Sequence, residues 1–298
     1  MNRVARITIT LFLLLSGVFV HAQVDSLAEA LQKYQSGDLP AARSLVDDVV
    51  NSPRHGTNPE AWLLRGFVYK DIYKDAGVGA EADVLRDEAI GSLFTCVSLD
   101  NVGTYTENAK QAYEFLARTY FNDAARALND LEAENAANSF DKYRSAVLRM
   151  DPKAPVLARE IEFKNALGTV YTKQFIKDRN QLDRFQKAVD TYMDVLALDP
   201  ENYGANYNLA TLYFNRGVFN IRAITADDEI PTILEVQVAA KEFFQAALPY
   251  MLKAHDLNPK RRETLMGLEG IYYSLQEQAD ADRFRRLFEE LPPDGFED

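Results

Sequence analysis

Four helix-terminating segments recur at similar intervals along this chain of 298 residues. Each joins an apolar stretch to Asp or Asn, and three of them end in proline: Leu99-Asp100-Asn101, Met150-Asp151-Pro152, Leu198-Asp199-Pro200 and Leu257-Asn258-Pro259. Proline cannot continue a helix, because it lacks the backbone N–H, but it can begin the next one. Between these stops the apolar residues recur with helical spacing, and no hairpin turn joins two apolar strands. The spacing predicts an all-α chain of repeated helical units.

A second pattern lies between the stops, where a small residue is followed three positions later by tyrosine. The five examples are Gly66-x-x-Tyr69, Ala117-x-x-Tyr120, Gly168-x-x-Tyr171, Ala210-x-x-Tyr213 and Gly270-x-x-Tyr273. Glycine or alanine at a helix crossing lets two helices approach closely, and the tyrosine one turn later fills the gap between neighbouring pairs. A larger residue there would overpack the crossing, at a cost of about 1–3 kcal/mol. The pattern predicts antiparallel helix pairs in close contact.

Together with an alanine on the second helix and the terminal proline, this pattern resembles the tetratricopeptide repeat (TPR) over residues 24–291. Pro59-Glu60-Ala61-Trp62 supplies the tryptophan that begins a repeat of this family, and Gly37-Asp38 resembles the turn between its two helices. The family unit has about 34 residues. The units here are longer, and the extra residues fall between the two helices of a pair. The stretch from Tyr203 to Leu291 looks like exported TPR proteins of the Bacteroidetes.

The resemblance implies a right-handed α–α superhelix, a TPR-like solenoid of antiparallel helix pairs with longer than usual helices and insertions. We expect one helical repeat domain over residues 23–298. Its units would cover roughly residues 24–58, 59–104, 105–152, 153–200, 201–259 and 260–291. The expected loop tips are Gly77-Val78-Gly79 and Asp227-Asp228-Glu229-Ile230-Pro231.

Residues 1–22 have the three parts of a secretory signal peptide. Arg3 and Arg6 precede an apolar stretch from Ile7 to Val20, which leads to a small-residue cleavage site at Val20-His21-Ala22. The apolar stretch is shorter than the roughly 20 residues that span a bilayer. We therefore expect an exported protein, periplasmic or secreted and soluble, with no integral membrane span after cleavage. A retained membrane anchor is the alternative.

The chain is acidic, with 33 Lys and Arg against 45 Asp and Glu and a formal net charge of −12. It has no run of basic residues long enough to neutralise a phosphate backbone, and its negative charge repels anionic membrane surfaces. From this charge balance we expect no nucleic-acid partner.

Few residues are suited to catalysis or metal binding. After signal removal only His55 and His255 remain, and Cys96 is the only cysteine. The sequence has no HExxH, paired CxxC, Gly-x-Ser-x-Gly, Walker loop or Gly-x-Gly-x-x-Gly motif. The spacing of Cys96 from Leu93 and Leu99 predicts that this cysteine is a small buried hydrophobic residue. We expect His255 to be a core or rim histidine and His55 to lie in a polar loop. We expect no enzymatic activity, no metal site and no cofactor.

In the TPR family the first helices line a concave groove, and groove residues have fixed offsets from the small residue. On this chain the resemblance places nine residues there: Glu114, Arg118, Asn122, Asn165, Thr169, Lys173, Tyr207, Thr211 and Asn215. The flanking units would contribute Leu63, Phe67, Asp71, Gly267, Ile271 and Leu275, which are mostly apolar, so cover by extra helices is the alternative there. Arg118 and Lys173 are the cations best suited to bind a carboxylate or backbone carbonyl of an extended peptide.

The resemblance therefore implies a non-enzymatic exported TPR scaffold that binds a protein or peptide segment in its groove. The alternative is a carbohydrate- or small-ligand-binding accessory protein of an outer-membrane uptake system, with Tyr207 and Trp62 as stacking platforms. A sugar-binding protein needs aromatic side chains clustered in solvent, whereas a peptide groove needs polar side chains along a track. A homodimer formed through exposed terminal repeats stays open.

Overall fold

The computed structural model describes residues 25–292, and over this range the chain forms twelve α-helices and no β-strand. The helices are α1 Ser26–Gln35, α2 Leu39–Asn51, α3 Pro59–Ala76, α4 Ala80–Leu99, α5 Thr106–Asn129, α6 Ala133–Met150, α7 Leu157–Lys177, α8 Leu182–Leu198, α9 Tyr203–Arg222, α10 Ile230–Leu257, α11 Arg262–Ser274 and α12 Gln278–Glu289. The predicted all-α, TPR-like fold class is confirmed. The predicted signal peptide and its cleavage site lie outside the described residues.

Polar side chains explain where several helices begin. Asp25, Asp38, Asn58 and Asn202 each precede a helix and accept a hydrogen bond from a backbone N–H of its first turn. The N–H groups of a first turn have no partner inside the helix, so a side-chain acceptor stabilises the helix by about 1 kcal/mol. The starts of α1, α2, α3 and α9 are therefore encoded locally.

The predicted stops are helix ends in the structure. α4, α6, α8 and α10 end at Leu99, Met150, Leu198 and Leu257, and the Asp or Asn that follows each of them forms the C-cap. The predicted loop tip at residues 77–79 separates α3 from α4, and its two glycines adopt positive φ angles of 76° and 142°. Glycine accepts such angles without the steric penalty of a side chain. The second predicted loop tip is shorter than expected, because Ile230 and Pro231 already belong to α10.

Most helices pack mainly against their neighbours in the sequence, as antiparallel pairs do. Successive pairs also meet through their first helices, since α1 contacts α3, α7 contacts α9 and α9 contacts α11. In a solenoid each pair buries its apolar face against the next pair in this way. The chain divides into two compact units, here called the first unit (up to Leu116) and the second unit (from Ala117). The six predicted repeat boundaries stay a prediction.

The predicted close approach at small residues is confirmed at Gly66 and Gly168. A Cβ at Gly66 would lie 2.6 Å from the side chain of Leu93, and a Cβ at Gly168 would lie 2.7 Å from the ring of Tyr192. Both distances are too short for a real Cβ contact, so only glycine allows these helices to approach so closely. The expectation for Tyr273 is wrong, because its side chain is 63% exposed. No helix pair follows α12 in the described residues, so no following pair covers the side chain of Tyr273.

The cysteine and the two histidines pack inside their units. Cys96 is fully buried, as predicted, and burial together with the charge of Asp100 raises the pKa of its thiol to about 11. His255 lies edge-on to Phe284 with 5.4 Å between ring centroids, and burial lowers its pKa. His55 lies in the loop between α2 and α3, as predicted, but its side chain is only 6% exposed, and its Nε2 lies 3.0 Å from Asp25 Oδ1. All three side chains are accounted for by packing.

No helix within residues 25–292 has both the length and the hydropathy needed to cross a membrane. In the same range no group of three or more His, Cys, Asp or Glu side chains could hold a metal ion.

Candidate functional site

The nine predicted groove residues lie on three helices, three on each: Glu114, Arg118 and Asn122 on α5, Asn165, Thr169 and Lys173 on α7, and Tyr207, Thr211 and Asn215 on α9. Residues four positions apart share one face of a helix, so each set of three forms a row along its helix. α7 and α9 contact each other within the second unit. A common ligand for these rows stays a prediction.

Two of the predicted residues on α7 are engaged inside the protein. Asn165 Nδ2 donates to Asn202 Oδ1 at 3.1 Å, and Asn202 is the N-cap of α9. Thr169 Oγ1 donates to the carbonyl of Asn165 at 3.0 Å and lies 3.3 Å from the hydroxyl of Tyr192 on α8. These bonds join α7 to both α8 and α9. Asn165 and Thr169 therefore hold the spacing of the first helices, and their capacity to bind a ligand is correspondingly reduced.

The two aromatic side chains of the carbohydrate alternative also have partners in the protein. Tyr207 stacks on Tyr203 with 5.9 Å between ring centroids and 7° between ring planes, and burial raises its pKa. Trp62 packs against the core of the first unit, and its Nε1 donates to the carbonyl of Gly56 at 2.8 Å. Trp62 is thus a structural anchor of its helix start, which removes one of the two platforms from the carbohydrate alternative.

Arg118 and Lys173, in contrast, are exposed and form no ion pair within residues 25–292. Several other cations of the second unit are paired with neighbouring carboxylates, as Arg144 is with Glu160 at 3.0 Å. An unpaired guanidinium or ammonium keeps its full donor capacity for a ligand. Among the predicted groove residues, these two cations are therefore the best placed to bind an acidic group.

A cationic cluster that was not predicted from the sequence lies at Arg179 and Arg216, around the rings of Phe175 and Phe219. The Cζ atom of Arg179 lies 5.0 Å from the ring centroid of Phe175 and 5.4 Å from that of Phe219. The corresponding distances for Arg216 are 5.7 and 5.8 Å. Each arginine lies three or four positions from one of the phenylalanines, a spacing that brings side chains together along a helix. This local signal was available in the sequence, but the meeting of the two arginines between α7 and α9 was not.

The first unit has a pocket of about 280 Å³ between α3 and α5. Its walls are Phe67, Lys70, Lys74, Asn108, Gln111, Ala112 and Phe115. Lys70 Nζ and Lys74 Nζ also lie 3.4 and 3.1 Å from Asp71 Oδ1, so that the positive charge of this pocket is partly balanced within the protein. Asp71 in turn accepts a hydrogen bond from the hydroxyl of Tyr34 at 2.6 Å. The pocket contrasts with the arginine cluster of the second unit, which has no such carboxylate.

No protein-family model matches this chain, and no curated protein matches it. The chain is similar to solved structures of IFIT1. A monomeric IFIT1 mutant with Gppp-AAAA is 13% identical with a TM-score of 0.41, over 89% of this chain and 59% of that chain. A human IFIT1 dimer with PPP-AAAA is 10% identical with a TM-score of 0.25, over 90% of this chain and 73% of that one. A likeness this distant transfers no activity to the present chain.

The expected absence of a nucleic-acid partner is nevertheless wrong as an exclusion. The IFIT1 chains in these structures are seen with the oligonucleotides Gppp-AAAA and PPP-AAAA. Our expectation depended on the net charge of −12, which sums the whole chain and does not describe the charge around one face. Arg179 and Arg216 form a local cationic cluster despite that sum. Net charge therefore excludes no class of partner for this protein.

Proposed function

We propose that this protein is an exported, non-enzymatic TPR-like scaffold that binds an extended protein segment along the first helices of its second unit. The observation that supports this function best is the pair of exposed, unpaired cations, Arg118 on α5 and Lys173 on α7. Export is inferred from the composition of residues 1–22 and is part of the same proposal.

An extended segment offers backbone carbonyls and acidic side chains at regular intervals, which fixed cationic donors can bind. An arginine fork binds a carboxylate through two parallel hydrogen bonds, and lysine adds a compact positive charge. Because both residues are anchored on helices, the backbone of the site is already ordered before the ligand arrives. The hydrogen bonds of Asn165 and Thr169 contribute indirectly, since they hold α7 against its neighbours.

The proposal is tested by selecting a random peptide library against the mature chain. The selected peptides are then measured against Arg118→Ala/Lys173→Ala and against the control Lys153→Ala/Lys260→Ala. Lys153 and Lys260 are exposed in loops and form no ion pair in the described residues, so the control removes the same charge elsewhere. We expect acidic peptides that bind the wild type and the control equally and bind the first variant at least about tenfold more weakly, a loss of at least about 1.4 kcal/mol.

Equal binding to both double variants would contradict the assignment of this face. An oligonucleotide of arbitrary sequence, matched to the peptides in length and net charge, is measured in parallel. If that oligonucleotide binds more tightly than every selected peptide, the partner is a nucleic acid and not a protein segment.

A further inference from the structure

Two arginine side chains meet between α7 and α9 around a pair of phenylalanine rings. We propose that Arg179 and Arg216, together with Phe175 and Phe219, form a binding site for a phosphate monoester. The site involves none of the residues that carry the proposed function, and the inference goes beyond that function because it would stand without a peptide ligand.

One side of this cluster is buried in the protein, and the other side is exposed to solvent. Phe175 is fully buried, whereas Phe219 is 40% exposed, and both arginines are partly buried. Both Cζ atoms lie between 5.0 and 5.8 Å from both ring centroids, so the two cations share the same aromatic surroundings. Rings that exclude water from one side lower the local dielectric constant, which strengthens the attraction of an anion.

The positive charge of the cluster is not neutralised by the protein. Within residues 25–292 neither guanidinium forms an ion pair. Asp178 is adjacent in sequence to Arg179, but its carboxylate accepts hydrogen bonds from the backbone N–H of Asn180 at 3.0 Å and from Gln181 Nε2 at 3.1 Å. Burial and the charge of Arg179 together lower the pKa of Arg216. Two repelling cations are thus held together at the site without a countercharge.

Another cation lies near the end of α7. Lys177 is exposed and forms no ion pair in the described part of the chain. The C-terminus of a helix carries a partial charge of about −0.5, which balances only a small part of this positive charge.

A phosphate monoester fits this site better than a carboxylate does. At neutral pH it carries a charge of about −1.5 to −2 and three acceptor oxygens. Two guanidinium forks supply two positive charges and several parallel N–H groups, and arginine is well suited to such bidentate contacts. A single carboxylate would leave one of the two arginines without a countercharge. Free phosphate, a phosphorylated side chain and a terminal nucleotide phosphate all present this chemistry.

The test is isothermal titration of the mature protein at constant ionic strength with three probes. The probes are inorganic phosphate, a short peptide that contains phosphoserine and a short oligonucleotide with a 5′-phosphate. The references are sodium chloride and the same peptide and oligonucleotide without the phosphate group. We expect saturable binding that depends on the phosphate group. The probe that binds most tightly then distinguishes a free anion, a phosphoprotein and a nucleic acid as the source of the group.

Three variants connect the binding to the two arginines. Arg179→Ala and Arg216→Met should each weaken phosphate-dependent binding about tenfold or more. Arg179→Lys/Arg216→Lys keeps the charge but loses the forks, and should fall between the wild type and the single variants. Arg179 follows the end of α7, so its truncation changes no residue within a helix.

Arg118→Ala and Lys153→Ala/Lys260→Ala are the controls, and both should bind phosphate as the wild type does. The first control separates this site from the peptide face, so that either proposal can fail alone. The phosphate site is refuted if the wild type shows no saturable binding above chloride. It is equally refuted if Arg179→Ala and Arg216→Met both retain full affinity.

Discussion

The dipeptide Arg-Gly occurs twice on first helices, as Arg65-Gly66 on α3 and Arg216-Gly217 on α9, and the two arginines have opposite surroundings. In both cases the glycine admits a neighbouring helix. A Cβ at Gly66 would lie 2.6 Å from the side chain of Leu93, and a Cβ at Gly217 would lie 2.5 Å from the ring of Phe244. The backbone role of the dipeptide is therefore the same in both units.

The charges around the two arginines differ. Arg65 Nε donates to Asp47 at 2.8 Å, and Arg65 Nη2 lies 2.8 Å from Glu88 Oε2. Burial opposes the charge of Arg65, but these two carboxylates outweigh it, and the pKa of Arg65 is raised. The pKa of Arg216 is lowered, because burial and the neighbouring Arg179 act in the same direction.

An arginine beside an aromatic ring can therefore serve either of two purposes. Arg65 lies 4.3 Å above the ring of Tyr69 and ties α3 to α2 and α4 through its carboxylate partners. Arg216 has similar aromatic neighbours but no carboxylate, and its binding capacity is open to a ligand. The partner carboxylates, not the ring, separate a structural arginine from a candidate binding arginine.

The largest expected effect is the loss of stability in Arg65→Ala. We expect the free energy of unfolding to fall by about 2–3 kcal/mol, since removal of one partner leaves two carboxylates uncompensated. The effect is below the range for fully buried pairs because the side chains of Asp47 and Glu88 are 35% and 47% exposed. Arg216→Ala should change stability by less than about 1 kcal/mol, because lost ring contacts and relieved repulsion offset each other. Urea denaturation measures both variants, and equal losses would remove the distinction between the two arginines.

The glycines that follow these arginines provide the second prediction. Gly217→Ala should destabilise the protein by about 1–3 kcal/mol, because the new methyl group meets both the Phe244 ring and a backbone carbonyl. Gly91→Ala is the matched control on α4, since a Cβ at Gly91 would meet no atom within 4 Å. Alanine is the better helix former, so the control should gain up to about 1 kcal/mol. Thermal denaturation would contradict this prediction if both variants shifted the melting temperature in the same direction.

Arg184 is a compensated but more exposed arginine of the second unit, and its behaviour can be examined by pH. It pairs with Glu134 on α6, as does Lys187 at 2.9 Å. Burial raises the pKa of Glu134, but the hydrogen bonds and charges of Lys187 and Arg184 dominate and lower it from 4.5 to about 2. A depressed pKa means that this stabilisation is complete above about pH 4.5 and is lost as pH falls toward 2.

Because Glu134 is more than half exposed, we expect its contribution to stay below about 1 kcal/mol. Unfolding followed between these two pH values should show a shallower acid dependence in Glu134→Gln than in the wild type. An unchanged slope would mean that this surface pair contributes nothing to stability.

The smallest expected effect concerns salt. Repulsion between Arg179 and Arg216 should be screened as ionic strength rises, since the Debye length falls from about 30 Å at 0.01 M to about 3 Å at 1 M. Relative to Arg216→Ala, the wild type should therefore gain a few tenths of a kcal/mol, in the range of about 0.2–0.5. Lys153→Ala controls for the general effect of salt on an acidic chain. A gain of the same size in Arg216→Ala would indicate that the two arginines do not repel each other.

Much of the fold was predictable because its determinants are local. The stops before Asp100, Asp151, Asp199 and Asn258 are the ends of four helices, and capping residues such as Asn202 act on the next turn of their own helix. The site was only partly predictable. The TPR resemblance predicted that Asn165 is a groove residue. It could not show that the Asn165 amide donates a hydrogen bond to Asn202, which is the N-cap of another helix.

The helical units, their ends and the small residues at their crossings can be recognised in the sequence, because these features depend on residues within a few positions of one another. Which cations keep their charge for a ligand depends on the tertiary structure. Arg65 and Arg216 occupy the same dipeptide, yet carboxylates on α2 and α4 neutralise the first, whereas a second arginine from the end of α7 approaches the other. Ion pairing depends on side chains that are distant in sequence and is settled only when the helices pack.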